Sequence, residues 1–163
     1  MKVIICGAGQ VGWQIARHLS GEKNDVTVVD SNADLVRRAT ETLDVQGITG
    51  FASYPDVLDR AGARDCDLII AATHSDEVNM VASAIAHLRA PLAIKVARIR
   101  EVAFLEDPAV LGDGGIHVDH AINPEMVAAQ RIEDILSVPI ASDVAECGHG
   151  VLLVGMRIAA GSP

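Results

Sequence analysis

Gly7-Ala8-Gly9-Gln10-Val11-Gly12 spaces three glycines as G-x-G-x-x-G. An apolar, strand-like run, Val3-Ile4-Ile5-Cys6, precedes it, and a helical pattern follows from Gln10. Asp30 closes the next apolar run, 18 residues after Gly12. This is the register of a dinucleotide-binding turn. Gly7 permits the tight turn, Gly9 lets the backbone approach a pyrophosphate, and Gly12 lets the helix lie close to the sheet. Unpaired N–H groups at the helix start then face phosphate oxygens. Asp30 is expected to accept hydrogen bonds from the ribose hydroxyls of an adenosine. Its charge repels a 2′-phosphate, which favours NAD or a plain adenine nucleotide over NADP.

A second polar cluster, Ala72-Thr73-His74-Ser75-Asp76-Glu77-Val78-Asn79, follows a later apolar run. Thr73, Asp76 and Asn79 either face a ligand or cap a helix; the residues themselves leave both open. Arg98 and Arg100 follow the next apolar run, where a guanidinium meets phosphate or simply solvent. His117 and His120 are three apart but lack further ligands placed for a metal. Trp13 follows Gly12 directly, and its role is not decided by its position. Cys147 and His149 flank a turn and read as turn and core residues, not as a zinc pair. No catalytic set accompanies the glycine turn: Tyr54, the one tyrosine, has Leu58 where a Tyr-x-x-x-Lys pair needs lysine. Gly-x-Ser-x-Gly and a phosphate-loop Gly-Lys-Thr are absent as well.

The elements that hold these residues alternate along the chain. Strands are expected at Val3–Cys6, Val26–Asp30, Val45–Thr49, Leu68–Ala72, Leu92–Ala97 and near Ile116–Asp119. Helices are expected at Gln10–Ser20, from Ser31 or Asn32 to about Leu43, at Asp56–Ala61, from Ser75 to about Arg89, and near Val102–Glu106. Such βαβ spacing means an α/β protein with a parallel sheet covered on both faces. With a glycine turn after the first strand, the expected architecture is a Rossmann-like doubly wound sheet of order 3-2-1-4-5-6. Thr73, Asp76 and Asn79 then sit at the point where the strand order reverses. After His120 the pattern changes. Asn123-Pro124-Glu125 starts a partly amphipathic helix bearing Met126, Val127, Ile132, Ile135 and Leu136, followed by two β segments, Val144–Cys147 and Val151–Ile158, around Gly148-His149-Gly150.

Composition narrows the function. The 163 residues are half hydrophobic and carry 13 basic against 22 acidic residues, a net charge of −9. That balance argues against a nucleic-acid partner, since phosphate binding needs a local excess of Lys and Arg. Four aromatic residues leave little for base-stacking platforms of the RNA-binding kind. Three scattered cysteines, Cys6, Cys66 and Cys147, make neither a disulfide framework nor a four-thiolate zinc site. No run of 18 apolar residues occurs, so a cytoplasmic chain that does not itself span a membrane is expected.

Residues 1 to about 137 closely resemble the KTN (RCK) nucleotide-binding domain of the TrkA family, peripheral subunits of bacterial Trk potassium-uptake systems. The resemblance is carried by Met1–Gly12, Asn24–Asp30, Ser53-Tyr54-Pro55-Asp56-Val57-Leu58, Ser75–Met80, Ala97-Arg98-Ile99-Arg100 and Asn123-Pro124-Glu125. It implies a gating protein, not an enzyme, that binds NAD(H), ATP or ADP as a regulatory ligand. It also implies docking on a membrane potassium-translocating subunit of the TrkH/TrkG type, at the inner face of the cell membrane. Dimers or rings would form through the helix at 123–137. By motif match Asp30, Thr73, Asp76, Asn79 and Arg98 line the nucleotide site. The full expected set is Gly7, Gly9, Gln10, Val11, Gly12, Asp30, Ser31, Phe51, Thr73, Asp76, Asn79 and Arg98, with no catalytic residue and no metal ligand. Phe51 stands where relatives often carry a polar residue near the adenine, which permits an apolar contact with the base. The expected organisation is a nucleotide-binding domain at 1–122, a crossover helix at 123–137 and the opening of a small domain at 138–163. The rival reading, a small NAD-dependent oxidoreductase or NAD-sensing redox regulator, is disfavoured by the missing catalytic set and the acidic composition.

Overall fold

Alternation within the first strand already assigns the two layers of the core. In a computed structural model, which describes residues 1–112, 114–137, 141–146 and 152–156, β1 spans Lys2–Cys6. Successive side chains of a strand point to opposite faces. Val3 and Ile5 join Ala8, Ala16, Val26 and Val28 in one buried cluster. Ile4 and Cys6 join Val29, Leu58, Ile69 and Ile85 in the other. Both faces are therefore buried, as a parallel sheet requires. Burial pushes the Cys6 thiol up to about 12, and the nearby Cys66 adds to the shift, so Cys6 stays neutral.

The remaining elements of the first unit, Met1–Asn123, follow in order: α1 (Gln10–Ser20), β2 (Asp25–Asp30), α2 (Ala33–Thr42), β3 (Gln46–Thr49), α3 (Pro55–Arg60), β4 (Leu68–Ala71), α4 (Asp76–Arg89), β5 (Ile94–Arg98), α5 (Val102–Leu105), α6 (Pro108–Leu111) and β6 (His120–Ile122). The six strands form one parallel sheet of order β3-β2-β1-β4-β5-β6, the order expected for a Rossmann-like fold. Helix starts follow capping chemistry. Asn32, not Ser31, caps α2, its side-chain oxygen accepting from Asp34 N and Leu35 N, and Ser75 caps α4 by accepting from Val78 N.

Three expectations shift. The last strand of the sheet is His120–Ile122, not Ile116–Asp119. The Ile116 and Val118 amides donate back to the Val110 and Leu111 carbonyls, so they are unavailable to a ladder. Ile116 and Val118 are apolar because they pack on the core, a reason unconnected with strand pairing. The fifth strand begins at Ile94, since Ala93 N closes a turn onto Ala90 O and leaves Leu92 99% exposed. A short helix, α6, was not foreseen, although Asp107 before Pro108 is a readable start signal, and Asp107 accepts from Ala109 N.

The second unit is Pro124–Pro163. It contains α7 (Pro124–Ser137) and an antiparallel pair, β7 (Ala141–Glu146) with β8 (Leu152–Met156). The expected turn at Gly148-His149-Gly150, together with Cys147, Pro139 and Ala159–Pro163, lies outside the described residues.

Candidate functional site

The glycine turn sits where β1 ends between β2 and β4. Gly7 adopts φ +105°, a conformation open to glycine, and donates from its N–H to Val29 O at 2.7 Å. A side chain at Gly7 would also press on Ala72 O, 2.9 Å from its Cβ. The turn is thus wedged against the end of β4. Gly12 is more constrained still: a Cβ there would lie 1.8 Å from Gly7 O, so the first turn of α1 rests on the loop's own carbonyl. The sheet is the more distant neighbour, with the Ile5 side chain 3.5 Å away. Around Gly9, by contrast, a Cβ would meet nothing within 4 Å. Gly9 is the N-cap of α1, no side chain caps the helix, and Gly9, Gln10 and Val11 are exposed. Helix geometry leaves the first amides of α1 without intrahelical acceptors. An exposed, uncapped helix start with clear space over Gly9 fits a phosphate group.

Asp30, at the tip of β2, is already engaged with this turn. Its Oδ2 accepts from Ala8 N at 2.7 Å, and its Oδ1 accepts from Asn32 N at 2.8 Å. A carboxylate oxygen can accept more than one bond, so each retains capacity for a hydroxyl. Ser31 is exposed beside it. Asp30 O also accepts from Gly50 N at 2.9 Å, which ties the β3 end to the β2 end and brings Phe51 next to Asp30. Phe51 is 53% exposed and pairs with Tyr54, equally exposed, at 5.3 Å between ring centroids. Tyr54 was not among the expected site residues. Its signal is the scarcity of aromatic residues, two of which fall three positions apart in one loop.

On the other side of the turn, two of the expected site residues are engaged within the protein. Asn79 is fully buried, and all four of its amide positions are used: its oxygen accepts from Thr73 N and Thr73 Oγ1, and its nitrogen donates to Thr73 O and Arg98 O. It braces the β4–α4 loop against the end of β5 and has no position left for a ligand. Asp76 is likewise turned inward: Oδ2 accepts from Arg100 N and Glu101 N, both at 2.8 Å, and the Arg100 guanidinium approaches Oδ1 at 3.7 Å. In this structure both side chains brace loops, and Asp76 Oδ1 is buried with no hydrogen-bond partner. Thr73 is half-buried, its hydroxyl donating within the same network, while half-buried Arg98 stands at the tip of β5. Arg100 reaches back to the His74 carbonyl.

The site is an open ledge along the carboxyl edge of β3, β2, β1 and β4. A cavity of about 680 Å³ lies at the opposite edge, lined by Met1, Asp67, Leu92 and Ile94 among others, far from the glycine turn. Geometry favours the ledge, because ligands of open α/β sheets bind outside the carboxyl ends of the strands. Trp13 lies within cation–π reach of Arg38 on α2 and Arg17 on α1, 5.5 and 5.8 Å from its ring, and so links the two helices. His117, one of the histidines considered for a metal, stacks on His87 at 3.6 Å. Among the described residues no helix is long and apolar enough to cross a membrane.

Comparison with known proteins adds a family. Residues 3–124 match the TrkA-N domain. The whole chain aligns at 41% identity with the Trk system potassium uptake protein TrkA of Halomonas elongata, covering 36% of that protein. The chain thus spans about a third of the length of this relative. Among solved structures, the TrkA-N domain of the inner membrane protein ybaL from Escherichia coli superposes with a TM-score of 0.72 at 17% identity, covering 83% of this chain and 96% of that one. The GsuK channel bound to NAD superposes at 0.67 and 18% identity, covering 88% of this chain and 25% of the channel. At such identities the structural likeness speaks for the fold alone.

Proposed function

The chain belongs to the TrkA-N domain family, and from that membership and the ledge geometry we propose that it is a nucleotide-sensing regulatory module of a Trk-type potassium-uptake system. The ligand is an adenine nucleotide, NAD(H) or ATP/ADP. Its phosphates lie on the first amides of α1 above Gly9, Gln10 and Val11, and its ribose hydroxyls donate to Asp30. Arg98 offers a guanidinium on the far side of the turn. The nucleotide acts as a signal, and no residue here transfers hydride or protons to it. The module works at the cytoplasmic face of the membrane on a potassium-translocating subunit of the TrkH/TrkG type, as a homodimer or ring joined through α7. Support for the transport role comes from the potassium-uptake name of the relative matched along the whole chain.

One observation carries the nucleotide reading. The Asp30 carboxylate is held in place by Ala8 N at 2.7 Å, beside an uncapped helix start. The acceptor for a ribose is therefore fixed before any ligand arrives, which reduces the ordering cost of binding. Calorimetric titration of NAD, ADP and NADPH tests it. NAD and ADP are expected to bind and NADPH to bind more weakly. Asp30→Ala weakens NAD and ADP together by roughly 10- to 100-fold, the range for losing charge-assisted hydrogen bonds. Equal affinity of the wild type and the variant for both ligands refutes the ribose role.

A further inference from the structure

The Phe51–Tyr54 pair is the feature of the ledge that the fingerprint does not account for. Aromatic residues are 2% of this chain, and none is among its fully buried side chains. Two nevertheless lie together in one loop, each 53% exposed, with rings 5.3 Å apart and tilted by 41°. Leaving two rings half in water forgoes the burial that makes aromatic side chains valuable to a fold. The pair is also anchored. Gly50 N donates to Asp30 O, and Tyr54 N donates to Phe51 O at 3.0 Å, so the loop's position follows from that of Asp30. Tyr54 then begins α3, and the Val57 and Leu58 amides both donate to its carbonyl.

The sheet order fixes what this pair can meet. A nucleotide's phosphate and base leave opposite sides of its ribose. With phosphate at the end of β1 and ribose at the end of β2, the base extends toward the end of β3, where Phe51 and Tyr54 stand. Resting on the nucleotide reading above, we infer that Phe51 and Tyr54 together form a stacking ledge for the nucleobase. The ledge reads the flat face of a purine and not its hydrogen-bonding edge. Tyr54 is the added specificity residue, and the ligand class it selects is purine nucleotides over pyrimidine nucleotides, with modest discrimination between adenine and guanine. Stacking tolerates any π-face and strengthens with its area, which gives that order of preference.

The test titrates AMP, GMP, CMP and ribose 5-phosphate into the full chain and into Tyr54→Ala, Tyr54→Phe and Phe51→Ala. Both rings are exposed, and Tyr54 begins α3 through its backbone alone, so the variants are expected to fold; circular dichroism checks this. AMP and GMP bind the wild type within a few-fold of each other and about tenfold or more tighter than CMP or ribose 5-phosphate. Tyr54→Ala and Phe51→Ala each lose about tenfold for AMP with no change for ribose 5-phosphate, and Tyr54→Phe restores most of the loss. Because Tyr54 is the one tyrosine, quenching of its emission by AMP in a Trp13→Phe background reports stacking directly. If AMP binds the wild type and both alanine variants alike, the ledge is wrong while the nucleotide reading survives. If neither AMP nor ribose 5-phosphate binds the wild type, the nucleotide reading itself fails and the ledge with it.

Discussion

A methyl group added at Gly12 would lie 1.8 Å from the Gly7 carbonyl oxygen, whereas one added at Gly9 would meet nothing within 4 Å. The two substitutions therefore separate folding from binding. Gly12→Ala forces α1 away from the turn and is expected to cost about 2 kcal/mol or more, read as a lower thermal midpoint. Gly9→Ala leaves the midpoint nearly unchanged but weakens nucleotide binding, because its methyl occupies the space a phosphate would use. A Gly12→Ala protein as stable as the wild type contradicts this account. At this scale the glycines and Asp30 were legible in the sequence because their spacing encodes a local turn. The inward orientation of Asp76 and Asn79 was not. Their partners, Arg100 N and Arg98 O, lie about twenty residues away and come close only once β4 and β5 have paired.

β5 carries a lysine where a core position is expected. Lys95 is 3% exposed, and its ammonium donates to Ala93 O at 2.7 Å and lies 3.0 Å from Asp119 Oδ2. Asp119 also accepts from Lys95 N and so fastens the segment before β6 to β5. Partial burial alone would raise the Asp119 carboxyl, but the two Lys95 hydrogen bonds and its charge hold it below the ordinary carboxylate range. A carboxyl lowered on folding contributes stability above its unfolded value, and that contribution is lost as pH falls through the lowered one. Asp119→Asn is expected to cost about 1–2 kcal/mol near neutral pH, since exposure of Asp119 to water limits the pair. The deficit should shrink and then vanish as pH falls through that lowered value, where the wild-type carboxyl is protonated too. A deficit independent of pH overturns the ion-pair account. Periodicity revealed β1, α1, β2 and α4 almost to the residue, because each couples a strong apolar pattern to a cap or turn. It misplaced β6, where Ile116 and Val118 are apolar for packing, with their amides spent on the end of α6.

For the molecule as a whole, α7 carries a run of exposed apolar side chains among the described residues. Met126, Val127, Ile132, Ile135 and Leu136 are 40–71% exposed in the single chain. Burying such side chains contributes on the order of 1.5–3 kcal/mol each before entropic costs, enough to hold two copies together through a two-fold contact. The chain is expected to be a dimer in solution, and Ile132→Asp with Ile135→Asp to yield a folded monomer by light scattering. A wild-type chain monomeric at high micromolar concentration refutes the contact. The parallel sheet has a further consequence, for the time before the molecule is complete. β1 is made first but lies mid-sheet, between β2 and β4, so one of its edges has no partner until residue 71 exists. At roughly 5–20 residues per second on the ribosome, that edge stays open for several seconds. Val3–Cys6 is then an unpaired apolar strand, the form in which a nascent chain is most prone to wrong pairing and most in need of chaperone cover. The backbone of Ala72 and Thr73 that wedges the glycine turn is missing over the same interval. The glycine turn is therefore not wedged in place until β4 and the residues after it have been made.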